Sequence, residues 1–114
     1  MLDKLTTQAY VVKISNMKAR QLVRQRVEIS ASRFAELVIW QLPKPLAGSP
    51  HSYKYWLAYV VEGECVMRYD NEAGKRDHRH LGTVEMGYKF KSPRQLMVDF
   101  FNGIQRYNHE HPDD

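Results

Sequence analysis

From Arg20 to Phe90 the apolar residues recur with a period of two, in short runs cut by Gly, Pro and Ser. That periodicity puts alternate side chains on opposite faces of an extended chain and points to a pleated sheet. Val23, Val27 and Ile29 alternate with Arg24, Arg26 and Glu28, as in a half-buried strand, and Ser30-Ala31-Ser32 makes a turn. Residues 33–42 are more continuously apolar and read as a central strand, filled out by Trp40. Pro43-Lys44-Pro45 and Gly48-Ser49-Pro50 break the chain into a loop. Residues 53–61 and 64–69 are β-branched and aromatic runs about Glu62-Gly63, a hairpin signal. Val84, Met86, Tyr88 and Phe90 give a fifth strand.

Beyond Phe90 the period changes. Ser92-Pro93 sets an N-cap with Pro at the first helical position. Leu96, Phe100, Ile104 and Tyr107 then form one helical stripe, suited to covering a sheet. The expected fold is α+β: an antiparallel β-meander of about five strands packed against a C-terminal helix. A chain of 114 residues suffices for one such domain with one modest core. The expected division is an N-terminal extension over 1–16, a single domain over 17–108 and a polar tail over 109–114. Trp40 and Trp56 are assigned to the core, and Cys65, mid-strand in an apolar run, to a buried structural thiol.

Composition limits the functional classes. A lone cysteine excludes an intramolecular disulfide framework and a multi-cysteine zinc site. No window holds the roughly 18 continuous apolar residues of a membrane span. Asp3, Lys4, Thr6, Thr7 and Gln8 interrupt the N-terminus, so no secretory leader is expected and the protein reads as soluble and cytoplasmic. The net charge is +4; residues 1–30 carry six Lys/Arg against two acids, and residues 92–114 carry two against four. A basic surface with an acidic tail suits an acidic partner such as nucleic acid, and no membrane.

One segment concentrates chemistry: Asp70-Asn71-Glu72-Ala73-Gly74-Lys75-Arg76-Asp77-His78-Arg79-His80. It follows a strand directly and is expected as a solvent-facing loop positioned by the sheet. His78 and His80, two apart, project to one side of an extended segment and can divide general-acid and general-base work. Lys75, Arg76 and Arg79 supply positive charge for a phosphate, and Asp70 or Asp77 can orient an imidazole through its ring N–H. Three readings stay open for this segment: a polar turn without chemistry, acid–base work or binding at a phosphate, and a divalent-metal site built from Asp77, His78 and His80. Gly74-Lys75 is not a phosphate-cradling loop, because the first glycine is missing and Arg76 stands where Ser or Thr is needed. His51, four residues before Tyr55, falls towards the same sheet edge as the charged loop if the hairpin closes about Glu62-Gly63. It is therefore expected to border one cavity with His78 and His80.

The residues Gly48-Ser49-Pro50-His51, Tyr53-Lys54-Tyr55, Tyr59-Val60-Val61 and the run Tyr69-Asp70-Asn71-Glu72, Gly74-Lys75 and Asp77-His78-Arg79-His80 resemble the TumE family of bacterial and archaeal toxin–antitoxin toxins. The resemblance covers roughly residues 17–107, and Arg76 replaces the glycine expected between Lys75 and Asp77. It implies a growth-inhibiting toxin neutralised by a cognate antitoxin of helix-turn-helix type. Two modes of action follow. One is a nuclease, on RNA or else DNA, with His78, His80, Asp77, Asp70 and Lys75 as catalytic residues. Its nucleic-acid contacts are then His51, Lys54, Arg68, Arg76 and Arg79. It needs no cofactor on RNA, where the 2′-hydroxyl is the nucleophile, while a divalent metal suits DNA. The other is a module that binds nucleic acid or a protein and inhibits by occupancy.

Overall fold

The computed structural model describes residues 19–113. The extension expected over 1–16 lies outside the described residues. Six strands follow one another: β1 (Arg20–Ser30), β2 (Arg33–Gln41), β3 (Tyr53–Val61), β4 (Glu64–Asp70), β5 (His78–Leu81) and β6 (Val84–Gly87), then the helix α1 (Pro93–Glu110). Each strand pairs antiparallel with the next in a single sheet, β1-β2-β3-β4-β5-β6. This is the expected meander and helix, with one strand more.

The extra strand is the end of the charged segment. His78–Leu81 pairs with Met67–Asp70 on one side and Val84–Gly87 on the other, turning at Gly82-Thr83 with Gly82 at φ +61°. Its polar composition hides a hairpin whose only sequence mark is that glycine. At the β3–β4 turn both Glu62 (φ +50°) and Gly63 (φ +80°) are left-handed, the geometry of a type I′ turn. A glutamate at the first of these positions accepts strain that Asn, Asp or Gly would avoid. The helix extends through Glu110, into what reads as the tail. Ser92 caps it, accepting a 3.0 Å hydrogen bond from Gln95 N–H, with Pro93 next in line.

The sheet presents two different faces. Ala35, Leu37 and Ile39 of β2, Tyr55, Leu57 and Tyr59 of β3, and Met67 and Tyr69 of β4 pack with Leu96, Phe100 and Ile104 of α1. The intervening positions point to the helix-distal face, where Val38, Trp56 and Ala58 form a second buried cluster with Trp40 against it. Trp56 is thus a buried core residue, as expected, while Trp40 is only partly buried beside it. Two other residues depart from expectation. Ile29 is exposed rather than aligned with Val23 and Val27, because the β1–β2 register shifts between Glu28 and Ser30. Cys65 is exposed, with its thiol donating to Met67 O at 3.5 Å. Partial burial of the sulfur pushes the thiol above its ordinary range, which is the wrong direction for a nucleophile.

Candidate active site

Cross-strand register builds the site. Arg68 lies opposite His80 and Asp70 opposite His78, on the helix-distal face with Trp56, which pairs with Asp70 across β3–β4. Directly opposed side chains in an antiparallel pair are neighbours, so the alternation in Arg68-Tyr69-Asp70 meets that in His78-Arg79-His80.

His78 Nδ1 donates to Arg76 O at 2.9 Å. Its Nε2 lies 2.7 Å from Asp70 Oδ1, off the N–H line, so the carboxylate oxygen gains charge attraction without a well-aligned hydrogen bond. Both ring nitrogens thus face oxygens that can only accept. His80 differs, its Nε2 having a guanidinium as nearest partner and the exposed Glu85 carboxylate at 3.5 Å. Arg68 Nη2 lies 3.0 Å from His80 Nε2, and a guanidinium can only donate, so that nitrogen presents its lone pair. Partial burial, then the Arg68 charge, hold His80 below the usual histidine range. Arg68 also places Nε 3.2 Å from Asp70 Oδ2 and so bridges the carboxylate and the imidazole. The two rings meet edge-on, with centroids 5.0 Å apart.

Donor atoms of Asp70, His78 and His80 lie within 4.8 Å of one another, a set chemically suited to a divalent metal. The Nδ1–H of His78 on a backbone carbonyl is the outer support such a ligand needs. Asp70, and not Asp77, completes this set, and a cation there would displace the Arg68 guanidinium.

Asp77 turns the other way. Its Oδ2 accepts from Tyr55 Oη at 2.6 Å and from His51 Nε2 at 2.7 Å. The backbone N–H of Tyr53 donates to His51 Nδ1 at 3.1 Å, which fixes the proton on Nε2. Burial, then the bond to Asp77, push the Tyr55 hydroxyl far above its ordinary range, so it stays protonated and donating. His51 also stacks on Phe90, with centroids 4.0 Å apart. Of the two carboxylates expected to orient an imidazole, Asp77 therefore faces His51 and not its neighbour His78, because adjacent residues on an extended chain face opposite ways. His51 does sit beside the charged loop, where Gly74 N–H donates to Ala47 O at 2.8 Å. It lines a cleft with Arg76 and Asp77, and does not share a cavity with His78 and His80.

The segment is not the solvent-facing loop expected, because Asp70, Asn71, Asp77 and His78 are all buried. Lys75 and Arg76 at its tip are exposed. Lys54, expected at a phosphate, is buried with its ammonium donating to Asn71 O. Arg79 lies on the helix side, 3.4 Å from Tyr69 Oη, and so away from the histidine pair. Position 76 needs no left-handed backbone, so arginine fits there; Gly74, at φ +78°, makes the turn. Reading residue by residue missed Asn71, whose side chain accepts from Tyr55 N–H and donates to Tyr53 O, prolonging the β3–β4 ladder. It also missed Tyr55 as a partner of Asp77, a contact that follows only from the β3–β4 and β4–β5 registers together.

No curated protein and no solved structure matches the chain. The family model described as toxin TumE matches residues 2–108, reaching into the N-terminal segment that falls outside the resemblance read from the sequence. No described helix is long and apolar enough to cross a membrane. With residues 2–108 of its 114 matched, the chain belongs to the TumE family, the toxins of toxin–antitoxin systems that act alongside a cognate antitoxin.

Proposed function

We propose that this toxin is an endoribonuclease whose chemistry lies on the helix-distal face of β4 and β5. One observation carries the reading: two imidazoles 5.0 Å apart have different nearest partners, His78 the buried Asp70 carboxylate and His80 the Arg68 guanidinium, with the exposed Glu85 carboxylate farther off at 3.5 Å. Such a divergence separates an acid from a base. His80 accepts the proton of a 2′-hydroxyl, and the freed oxygen attacks the neighbouring phosphorus. His78 returns a proton to the departing 5′-oxygen, leaving a 2′,3′-cyclic phosphate. Arg68 stabilises the charge that accumulates on the non-bridging oxygens, with Lys75 and Arg76 holding the strand by its phosphates. Asp70 positions His78, while Asp77 and His51 hold the loop. The antitoxin, expected to carry a helix-turn-helix domain, restrains this activity in the cytoplasm.

The test is incubation of the purified chain with end-labelled RNA and DNA, with and without chelator. RNA should be cut to cyclic-phosphate ends in both conditions and DNA should stay intact. Uncut RNA from a chain that still arrests growth would instead favour inhibition by occupancy, a reading supported by the burial of Asp70 and His78. Cleavage lost to chelator would assign Asp70, His78 and His80 to a metal.

The pH dependence follows from the base. Cleavage should rise with pH as His80 loses its proton, with the inflection below the roughly 6.5 of a free histidine. Arg68 is one cause of that lowering, so Arg68→Gln should slow cleavage and also move the inflection upwards. A pH–rate profile on both proteins checks this; an unmoved inflection would mean that His80 is not the titrating base.

A further inference from the structure

The cleft that His51 lines has no part in the chemistry of His78 and His80. Its volume is about 870 Å³, and its walls are the Gly48–His51 turn and the segment Gly87–Phe90. That is within the range of roughly 300–1,000 Å³ typical of small-molecule clefts. Three features define what it can hold.

Its lining includes the rings of Phe90, His51 and Tyr88, with Phe90 stacked on His51 and the buried Tyr55 ring 5.5 Å behind Phe90. The carboxylate of Asp77 is already engaged by Tyr55 and His51, whereas Arg76 and Lys89 on the walls are exposed. The cleft therefore combines aromatic rings with two exposed cations, against one carboxylate that is held by Tyr55 and His51. Finally, it adjoins the proposed cleavage site. Gly87 pairs with His78 across β5–β6, and Arg76 and Gly87 also border the groove containing Lys75 and His78. A side chain at position 87 would project into open space, so glycine leaves the crossing from one face to the other unobstructed.

We propose that this cleft seats a base of single-stranded RNA next to the cleaved phosphodiester, rationalising how the strand is gripped in the nuclease reading on which the proposal rests. Phe90 supplies the stacking face, and Arg76 and Lys89 neutralise the adjoining phosphate. The strand then crosses the sheet edge at Gly87 to reach His78 and His80. Stacking tolerates any base, so the subsite contributes grip more than sequence choice.

Binding is measured by fluorescence anisotropy with a 2′-O-methyl oligoribonucleotide, which can bind but cannot cyclise, and cleavage is followed in parallel on unmodified RNA. Phe90→Leu keeps apolar volume but removes the π-face, and should weaken binding about 5- to 100-fold. Lys89→Gln and Arg76→Gln should each reduce the log–log salt slope by about 0.7, the loss of one single-strand phosphate contact. Thermal melts accompany each variant, and Lys89→Gln, at an exposed position, reports on the cleft even if Phe90→Leu folds poorly. Wild-type affinity and salt slope in these variants, with cleavage of RNA intact, would overturn the subsite and leave the nuclease reading standing. A wild-type chain that neither binds nor cuts RNA would overturn both. Retained RNA binding with weakened antitoxin binding would make the cleft a protein-docking surface and refute the subsite.

Discussion

His80→Ala is expected to abolish growth arrest and to lower RNA cleavage by about 10²- to 10⁴-fold, the usual contribution of a positioned general base. The thermal midpoint should move by only a few degrees. His80 is the accessible member of the histidine pair, with its side chain 23 % exposed against 9 % for His78. Its removal leaves Arg68 paired with Asp70 and His78 bonded to the Arg76 carbonyl, so no buried charge is stranded. Growth after induction without antitoxin, cleavage of labelled RNA and a thermal melt test the three parts together. A folded, still toxic His80→Ala would remove the base from the mechanism. His78→Ala is the weaker test. It takes away the imidazole 2.7 Å from a carboxylate that is only 2 % exposed, and a lost activity there can follow from lost structure.

That asymmetry marks the limit of what the sequence makes legible. Period-two patterning and the breaks at Pro43, Gly48 and Gly63 suffice for the meander, and the Leu96-Phe100-Ile104 stripe for the helix that covers it, because hydrophobic burial sets both. The polar stretch defeats this logic. In His78-Arg79-His80-Leu81 backbone pairing to β4 and β6, rather than apolar alternation, makes the strand. The pairing of Asp70 with His78 and of Arg68 with His80 depends on cross-strand register, which fixes partners only once β5 is recognised as a strand. For the same reason Asp77 and His78, adjacent in sequence, serve opposite faces. Lys54 misleads differently: its charge suggests a surface contact, while its strand position buries it beneath Asn71. Residue type alone therefore marks the charged segment but misassigns its pairings.

Asp77→Ala should be among the most destabilising substitutions in the domain. The Asp77 carboxylate is 6 % exposed and accepts from two donors on different segments, Tyr55 of β3 and His51 of the preceding loop. Losing it strands the Tyr55 hydroxyl, which lies at the edge of the core, and the His51 Nε2–H. A buried donor left without a partner costs about 1–3 kcal/mol, so the pair amounts to roughly 2–6 kcal/mol. With about 4–8 °C per kcal/mol for a domain of this size, the midpoint should fall by at least about 8 °C. Asp77→Asn retains an oxygen in nearly the same place, and should recover much of that loss because it forfeits mainly the charge assistance of the two bonds. At temperatures below its midpoint it should also cleave RNA at close to the wild-type rate, since Asp70, His78, Arg68 and His80 keep their contacts on the opposite face. Thermal melts and single-turnover cleavage on both variants separate the two possibilities. If Asp77→Asn melts like wild type but loses cleavage, Asp77 acts in the chemistry. If instead the melting loss is large for alanine, small for asparagine and absent from the cleavage rate, Asp77 ties the His51 loop to the sheet, and the chemistry stays with the histidines behind it.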